Sequence, residues 1–251
     1  MIGIFDSGSG GLTVLRAVRD LLPNTDVVYF GDTKHAPYGG KSRAELSKLT
    51  MEGFGLLREQ GATSIVSACN SVSASLALSL LDVSALPSDR IIEMVGPTVR
   101  ATAGAEGRIA IAATKATVDS SLYQDAYAML GKEVTAIAVP ELAGAIERGA
   151  EQEELDRIVA EALPLPPAYD LLVLACTHYP LAYASFRKHL PEKVGIYDPA
   201  AAVAERVEAQ LWPREAGEGK TRFLISKESP AFLVQVARLF PGSETHVEVL
   251  E

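Results

Sequence analysis

The sequence predicts an α/β protein built on mainly parallel sheets flanked by helices. Short apolar runs alternate with helix-length amphipathic stretches from one end of the 251-residue chain to the other, the pattern of parallel sheets with covered faces. Glycine- and proline-bearing turns punctuate the runs. The only two cysteines, Cys69 and Cys176, each end an apolar run and are followed at once by small polar residues. The carboxyl end of a strand is where an open α/β sheet binds its ligands.

The first strand, Ile2 to Phe5, leads through Asp6-Ser7-Gly8-Ser9-Gly10-Gly11 into a helix. That helix shows Leu12, Leu15, Val18, Leu21 and Leu22 at three- and four-residue steps, with Pro23 beyond its end. Further strands are expected at Val27 to Gly31, Ser64 to Ala68 and Ile91 to Val95. A second set is expected at Arg108 to Ala113, Val134 to Val139, Leu171 to Ala175 and Val194 to Tyr197, and Phe223 to Ser226 and His246 to Leu250 close the series. Gly96-Pro97, following a strand, and Tyr197-Asp198-Pro199, preceding an alanine-rich helix, read as crossings between domains. Cutting there gives one domain of residues 1–96 plus 199–251 and another of residues 97–198, each with one cysteine. A single continuous sheet is the competing expectation. The proline-rich stretch around Leu165 and the segment Glu215-Ala216-Gly217-Glu218-Gly219 read as simple surface loops.

Composition narrows the function classes. A hydrophobic content of 48% with 22% charged residues is ordinary for a soluble globular protein, and the length suits one large or two small domains. The net charge of −9 argues against nucleic acid or an anionic membrane surface as the main partner. No stretch approaches the ~18 consecutive apolar residues of a membrane span. The N-terminus lacks the basic start and long apolar core of a signal peptide, so a cytoplasmic location is expected. Thiols stay reduced there, so no disulfide is expected. No metal is expected either, because the two cysteines and the scattered His35, His189 and His246 show no zinc-type spacing and those histidines read as solvated.

The glycine-rich turn after the first strand permits close backbone approach, and helix N-terminal amides attract an anion. It is neither a phosphate-binding P-loop nor a dinucleotide fingerprint, for it lacks Gly-Lys-Ser/Thr and the third glycine of G-x-G-x-x-G. Asp6 is its informative residue, a carboxylate at a strand end. The loop Gly31-Asp32-Thr33-Lys34-His35-Ala36-Pro37-Tyr38-Gly39-Gly40-Lys41 offers hydroxyls and backbone amides, although Pro37-Tyr38-Gly39 also reads as a turn with a packed ring. The strongest signal is the pair of turns Cys69-Asn70-Ser71 and Cys176-Thr177-His178. A thiolate is the reactive form of cysteine and needs a neighbour's help at neutral pH, which Asp6 or His178 could give. Two such groups on opposite sides of a tetrahedral carbon would invert a stereocentre, one removing a hydrogen and the other delivering one.

Taken together, Asp6-Ser7-Gly8-Ser9-Gly10-Gly11, Pro37-Tyr38-Gly39, Ala68-Cys69-Asn70 and Cys176-Thr177-His178-Tyr179-Pro180-Leu181 resemble the glutamate racemase family of the aspartate/glutamate racemase superfamily, in order and over nearly the whole chain. The resemblance implies two α/β domains of similar topology with the active site in the interdomain cleft. It implies cofactor-independent interconversion of L- and D-glutamate that supplies D-glutamate for peptidoglycan synthesis, with glutamate as the small-molecule partner and room for a homodimer. By the same resemblance Cys69 works on D-glutamate and Cys176 on L-glutamate, with Asp6 assisting Cys69, and His178 and Glu147 supporting Cys176. It assigns substrate binding to Asp6, Ser7, Pro37, Tyr38, Gly39, Cys69, Asn70, Ser71, Thr117, Cys176, Thr177 and His178. Thr114, near Thr117, matches the same threonine-rich turn. The chain departs from the family pattern at Ser71, Val72 and Ala175, where Cys-Asn-Thr-Ala and Gly-Cys-Thr-His are usual. An aspartate or other small-acid racemase, and an amino-acid-binding relative without catalysis, are the alternatives.

Overall fold

The computed structural model describes residues 1–73, 87–241 and 246–250. Within them lie ten strands: β1 (Ile2–Asp6), β2 (Val27–Gly31), β3 (Ser64–Ser67), β4 (Ile91–Ile92), β5 (Ile109–Ala113), β6 (Val134–Ala138), β7 (Leu171–Ala175), β8 (Gly195–Tyr197), β9 (Thr221–Ile225) and β10 (Val247–Val249). They form two sheets rather than one, ordered β10-β9-β2-β1-β3-β4 and β6-β5-β7-β8, and every pairing within them is parallel. β1, β2 and β3 are buried along their whole length, as runs of apolar residues in a parallel sheet covered on both faces should be. Ile2 and Ile4 face a core with Leu15, Val18 and Phe232, whereas Phe5 faces Phe54, Leu57 and Ile65 on the other side. Each such side chain contributes about 1.5–3 kcal/mol on burial.

The two sheets match each other at a constant interval. β1, β2 and β3 begin at Ile2, Val27 and Ser64; β5, β6 and β7 begin 107 residues later, at Ile109, Val134 and Leu171. Cys69 and Cys176 stand at the same interval. In both sheets the chain leaves the first strand to one side, then returns to the other, which opens a crevice between the carboxyl ends of β1 and β3 and another between those of β5 and β7. Asp6 and Cys69 lie at the first crevice, Thr114 and Cys176 at the second. Matching topology thus delivers one thiol to each crevice.

The strand after residue 90 is shorter than expected: β4 ends at Ile92 and a helix occupies Val95–Thr102. Gly96-Pro97 is therefore part of that helix. Proline is tolerated there because the first-turn N–H groups of a helix have no intrahelical partner. The Glu93 carboxylate accepts the free N–H groups of Val95 and Gly96, each at 2.6 Å. The second crossing follows the same rule, with Asp198 accepting from Ala200 N–H at 3.0 Å at the start of the helix Ala200–Leu211. Glu215 also departs from its expected place in a simple surface loop. It is buried and accepts from the Met1 ammonium, Ser64, Thr63 and Arg90, which ties the loop to the start of β3. His35 pairs with Asp32 at 2.9 Å, and His189 is half-buried with its Nε2 unpartnered among the described residues, so neither is simply solvated; His246 is exposed.

Candidate active site

At the first crevice, backbone pairing of β1 with β3 sets Asp6 and Ser7 beside Cys69. The Cys69 thiol donates to Ser7 Oγ at 3.7 Å. Burial pushes this thiol up to about 12, and the Asp6 charge adds to the shift. Asp6 is itself fully buried. Burial raises its carboxyl above the ordinary value, although the His178 charge and the N–H groups of Gly8 and Gly11 work the other way. Its Oδ1 accepts from Gly8 N–H at 2.9 Å and its Oδ2 from the Thr177 hydroxyl at 3.0 Å. Cys69 is thus a protonated thiol at neutral pH, with a buried carboxyl of raised proton affinity close by.

At the second crevice Cys176 Sγ lies 3.8 Å from His178 Nδ1, and His178 Nε2 lies 2.5 Å from Glu147 Oε1. Burial alone would lower the histidine, but the Cys176 sulfur and the Glu147 carboxylate hold it well above 6.5. Burial likewise opposes the charge of Glu147, yet His178 and two donors from Ser9 hold it below the ordinary value. Those donors are Ser9 N–H at 2.5 Å and Ser9 Oγ at 2.9 Å. Glu147 is presented at the end of a short buried helix, Leu142–Glu147. Gly149 stops that helix with φ +69, a left-handed conformation that favours glycine.

The glycines of the first turn serve space. A Cβ on Gly8 would lie 2.3 Å from Glu147 Oε1, and one on Gly10 would lie 2.5 Å from His178 Nδ1. Residues of the second sheet unit therefore reach into the first turn, and no phosphate cradle is needed to explain it. The contact continues on the Cys69 side. Ser71 Oγ pairs with Thr114 Oγ1 at 2.9 Å, and Thr114 pairs with Thr117 at 3.1 Å while capping the helix Lys115–Asp119. Gly39 lies against Thr114, whose Cβ an added methyl would meet at 2.7 Å.

The expected residues thus fall into one region. Asp6, Ser7, Cys69, Asn70, Ser71, Thr117, Cys176, Thr177 and His178 are buried around the two crevices, and Glu147 is nearly so. Tyr38 departs in one respect: its hydroxyl donates to Asp32 at 2.6 Å and its ring packs edge-on to Phe5, so what the Pro37-Tyr38-Gly39 loop offers a ligand is backbone. Three participants went unassigned in the sequence. Ser9 sits within the glycine-rich turn, and Asp32 within the loop that carries Tyr38; Asp32 also accepts from Ser226 at 2.6 Å. Tyr123 has no local signature at all, yet its hydroxyl donates to Asn70 Oδ1 at 2.6 Å. Among the described residues no cluster of three His, Cys, Asp or Glu side chains is arranged to hold a metal ion, and no helix is long and apolar enough to cross a membrane.

The chain is similar to known racemases over most of its length. The family model described as Asp/Glu/Hydantoin racemase matches residues 12–207. A glutamate racemase of Desulforudis audaxviator is 37% identical over 97% of this chain and 94% of its own length. The crystal structure of glutamate racemase from Francisella tularensis in complex with D-glutamate superposes with a TM-score of 0.87 at 27% identity, covering 100% of this chain and 97% of that one. The Thermus thermophilus glutamate racemase in complex with beta-chloro-D-alanine superposes at 0.82 with 32% identity, covering 100% of this chain and 96% of that one.

Proposed function

The chain belongs to the Asp/Glu/hydantoin racemase family, and on that premise we propose that it racemises glutamate by a two-base mechanism between Cys69 and Cys176. It is an amino-acid racemase, and glutamate is its substrate. The observation that carries the two-base reading is the placement of one buried thiol at each of two matching crevices, each with its own acid/base partner. Starting from L-glutamate, the Cys176 thiolate takes the Cα hydrogen as a proton, leaving the electron pair on Cα. The Cys69 thiol then gives its proton to the opposite face, which leaves Cys176 protonated and Cys69 as thiolate. D-glutamate runs the same steps backwards.

Each partner has a task in this scheme. To return the sulfurs to their starting forms, His178 as neutral imidazole accepts the Cys176 proton on Nδ1, the imidazolium so formed being paired with Glu147, and protonated Asp6 gives its proton to the Cys69 thiolate; His178 then releases a proton to water and Asp6 takes one up. A positioned acid or base of this kind is worth about 10²–10⁴-fold. Ser7, Asn70, Ser71, Thr117 and Thr177 supply hydrogen-bonding groups for the substrate, and the Pro37-Tyr38-Gly39 backbone closes over it. Burial of both sulfurs keeps water from the carbanionic intermediate and strengthens every donor aimed at it. Ser71 in place of threonine keeps the hydroxyl, so carboxylate binding survives with less methyl packing.

The two sheets support residues 1–96 with 199–251, and 97–198, as the two domains whose cleft holds the site. We take the setting to be the cytoplasm, the role to be supply of D-glutamate for peptidoglycan, and the working partner to be glutamate, in a monomer or homodimer. Turnover of each enantiomer, followed by chiral chromatography, tests the reading. Cys69→Ala and Cys176→Ala should each abolish interconversion, and full activity in either variant excludes the two-base scheme.

A further inference from the structure

Asn70 is buried, and its two ends are treated differently. Oδ1 accepts the Tyr123 hydroxyl at 2.6 Å, whereas Nδ2 is buried and has no partner among the described residues. A buried amide left with unused donors is costly unless a ligand takes them. Asn70 follows Cys69 directly, so those donors sit at the first crevice, where a substrate carboxylate is the acceptor that suits them. An amide can present either end to a site, and nothing in the Asn70 side chain itself chooses between them.

We propose that Tyr123 is a positioning residue that makes this choice. By giving its single O–H to Oδ1, it turns the Nδ2 donors toward the substrate; without it the amide can rotate and set an oxygen against the carboxylate. Tyr123 is well placed for the task, because it is fully buried on the helix Leu122–Ala128 and its O–H is held at one fixed point. It stands in the second sheet unit while Asn70 follows β3 of the first, so the donors are aimed only when the two units are together. The inference rests on the glutamate-binding reading above and adds a residue that touches no reacting atom.

Steady-state kinetics on the intact protein test it. Tyr123→Phe should raise KM for both enantiomers about tenfold, the usual consequence of a misdirected buried hydrogen bond. Its kcat should stay within about twofold, because neither thiol nor its acid/base partner is touched. In an Asn70→Ala background the same substitution should change KM no further. An unchanged KM in Tyr123→Phe, a fall in kcat at constant KM, or an equal rise in KM in the Asn70→Ala background each overturns the inference. If Tyr123→Phe does not fold, Tyr123→Leu is compared in the unaltered and Asn70→Ala backgrounds: a rise in KM confined to the unaltered background is expected, and an equal rise in both, or none in either, overturns the inference. Racemisation of glutamate by the unaltered protein is measured alongside, so failure of the underlying reading shows as absence of turnover there, separately from any result with the variants.

Discussion

Gly8 and Gly10 lack side chains because Glu147 and His178 occupy the space a Cβ would need. His178 cannot retreat, since its other nitrogen is pinned to Glu147. Gly10→Ala should therefore displace the imidazole from Cys176 and lower kcat about 10²-fold, the value of one positioned acid or base; wild-type kcat in this variant would refute the packing account. Asp6 gives a second expectation at this scale. Its carboxyl is raised by burial, so stability from this group is fully present below about pH 3.9, where both states are protonated, and is lost as pH rises through the folded value. Asp6→Asn should thus melt above wild type at neutral pH, by a margin that shrinks toward pH 4, while losing activity. An equal melting temperature at pH 7 would contradict it. For the His178–Glu147 pair the signs oppose. The lowered carboxyl contributes above about pH 4.3 and fails as pH falls; the raised histidine contributes fully below about pH 6.5 and fails as pH rises. Glu147→Gln should accordingly lose most stability between those values, and the alkaline limb of its pH–rate profile should move to lower pH.

Elements were largely legible, because apolar runs bounded by glycine and proline have few other readings. β2 and β7 begin and end where the run of apolar residues does, at Val27–Gly31 and Leu171–Ala175. Ile91 to Val95 is less legible as a strand, since its apolar character continues into a helix and Gly96-Pro97 reads locally as a break. The cue that separates the two is Glu93, an acid placed to accept the first free N–H groups of a helix. Glu93→Ala should cost about 1 kcal/mol in urea unfolding with kcat essentially unchanged. A loss of activity without a loss of stability would mean that the residue acts at the site instead. The 107-residue interval between matching strands was also visible in the sequence, but only once both sets of strands had been located.

For the molecule as a whole, the site is made by contacts between residues far apart in the chain. Ser9 with Glu147, Asp6 with Thr177, Ser71 with Thr114 and Asn70 with Tyr123 each join the first sheet unit to the second. The cysteines and their immediate neighbours were legible because strand-end thiols followed by polar residues are unusual in combination. The pairing of Tyr123 with Asn70 was not, because a tyrosine in an amphipathic helix looks like core until the two units are brought together. If one thiol works on each face of the substrate carbon, hydrogen exchange in D2O will report it. Starting from either enantiomer of glutamate, the product should have the opposite hand and carry one deuterium at Cα, while substrate recovered early in the reaction retains its hydrogen. Deuterium entering the recovered substrate as fast as the product, or inversion without deuterium, would contradict it.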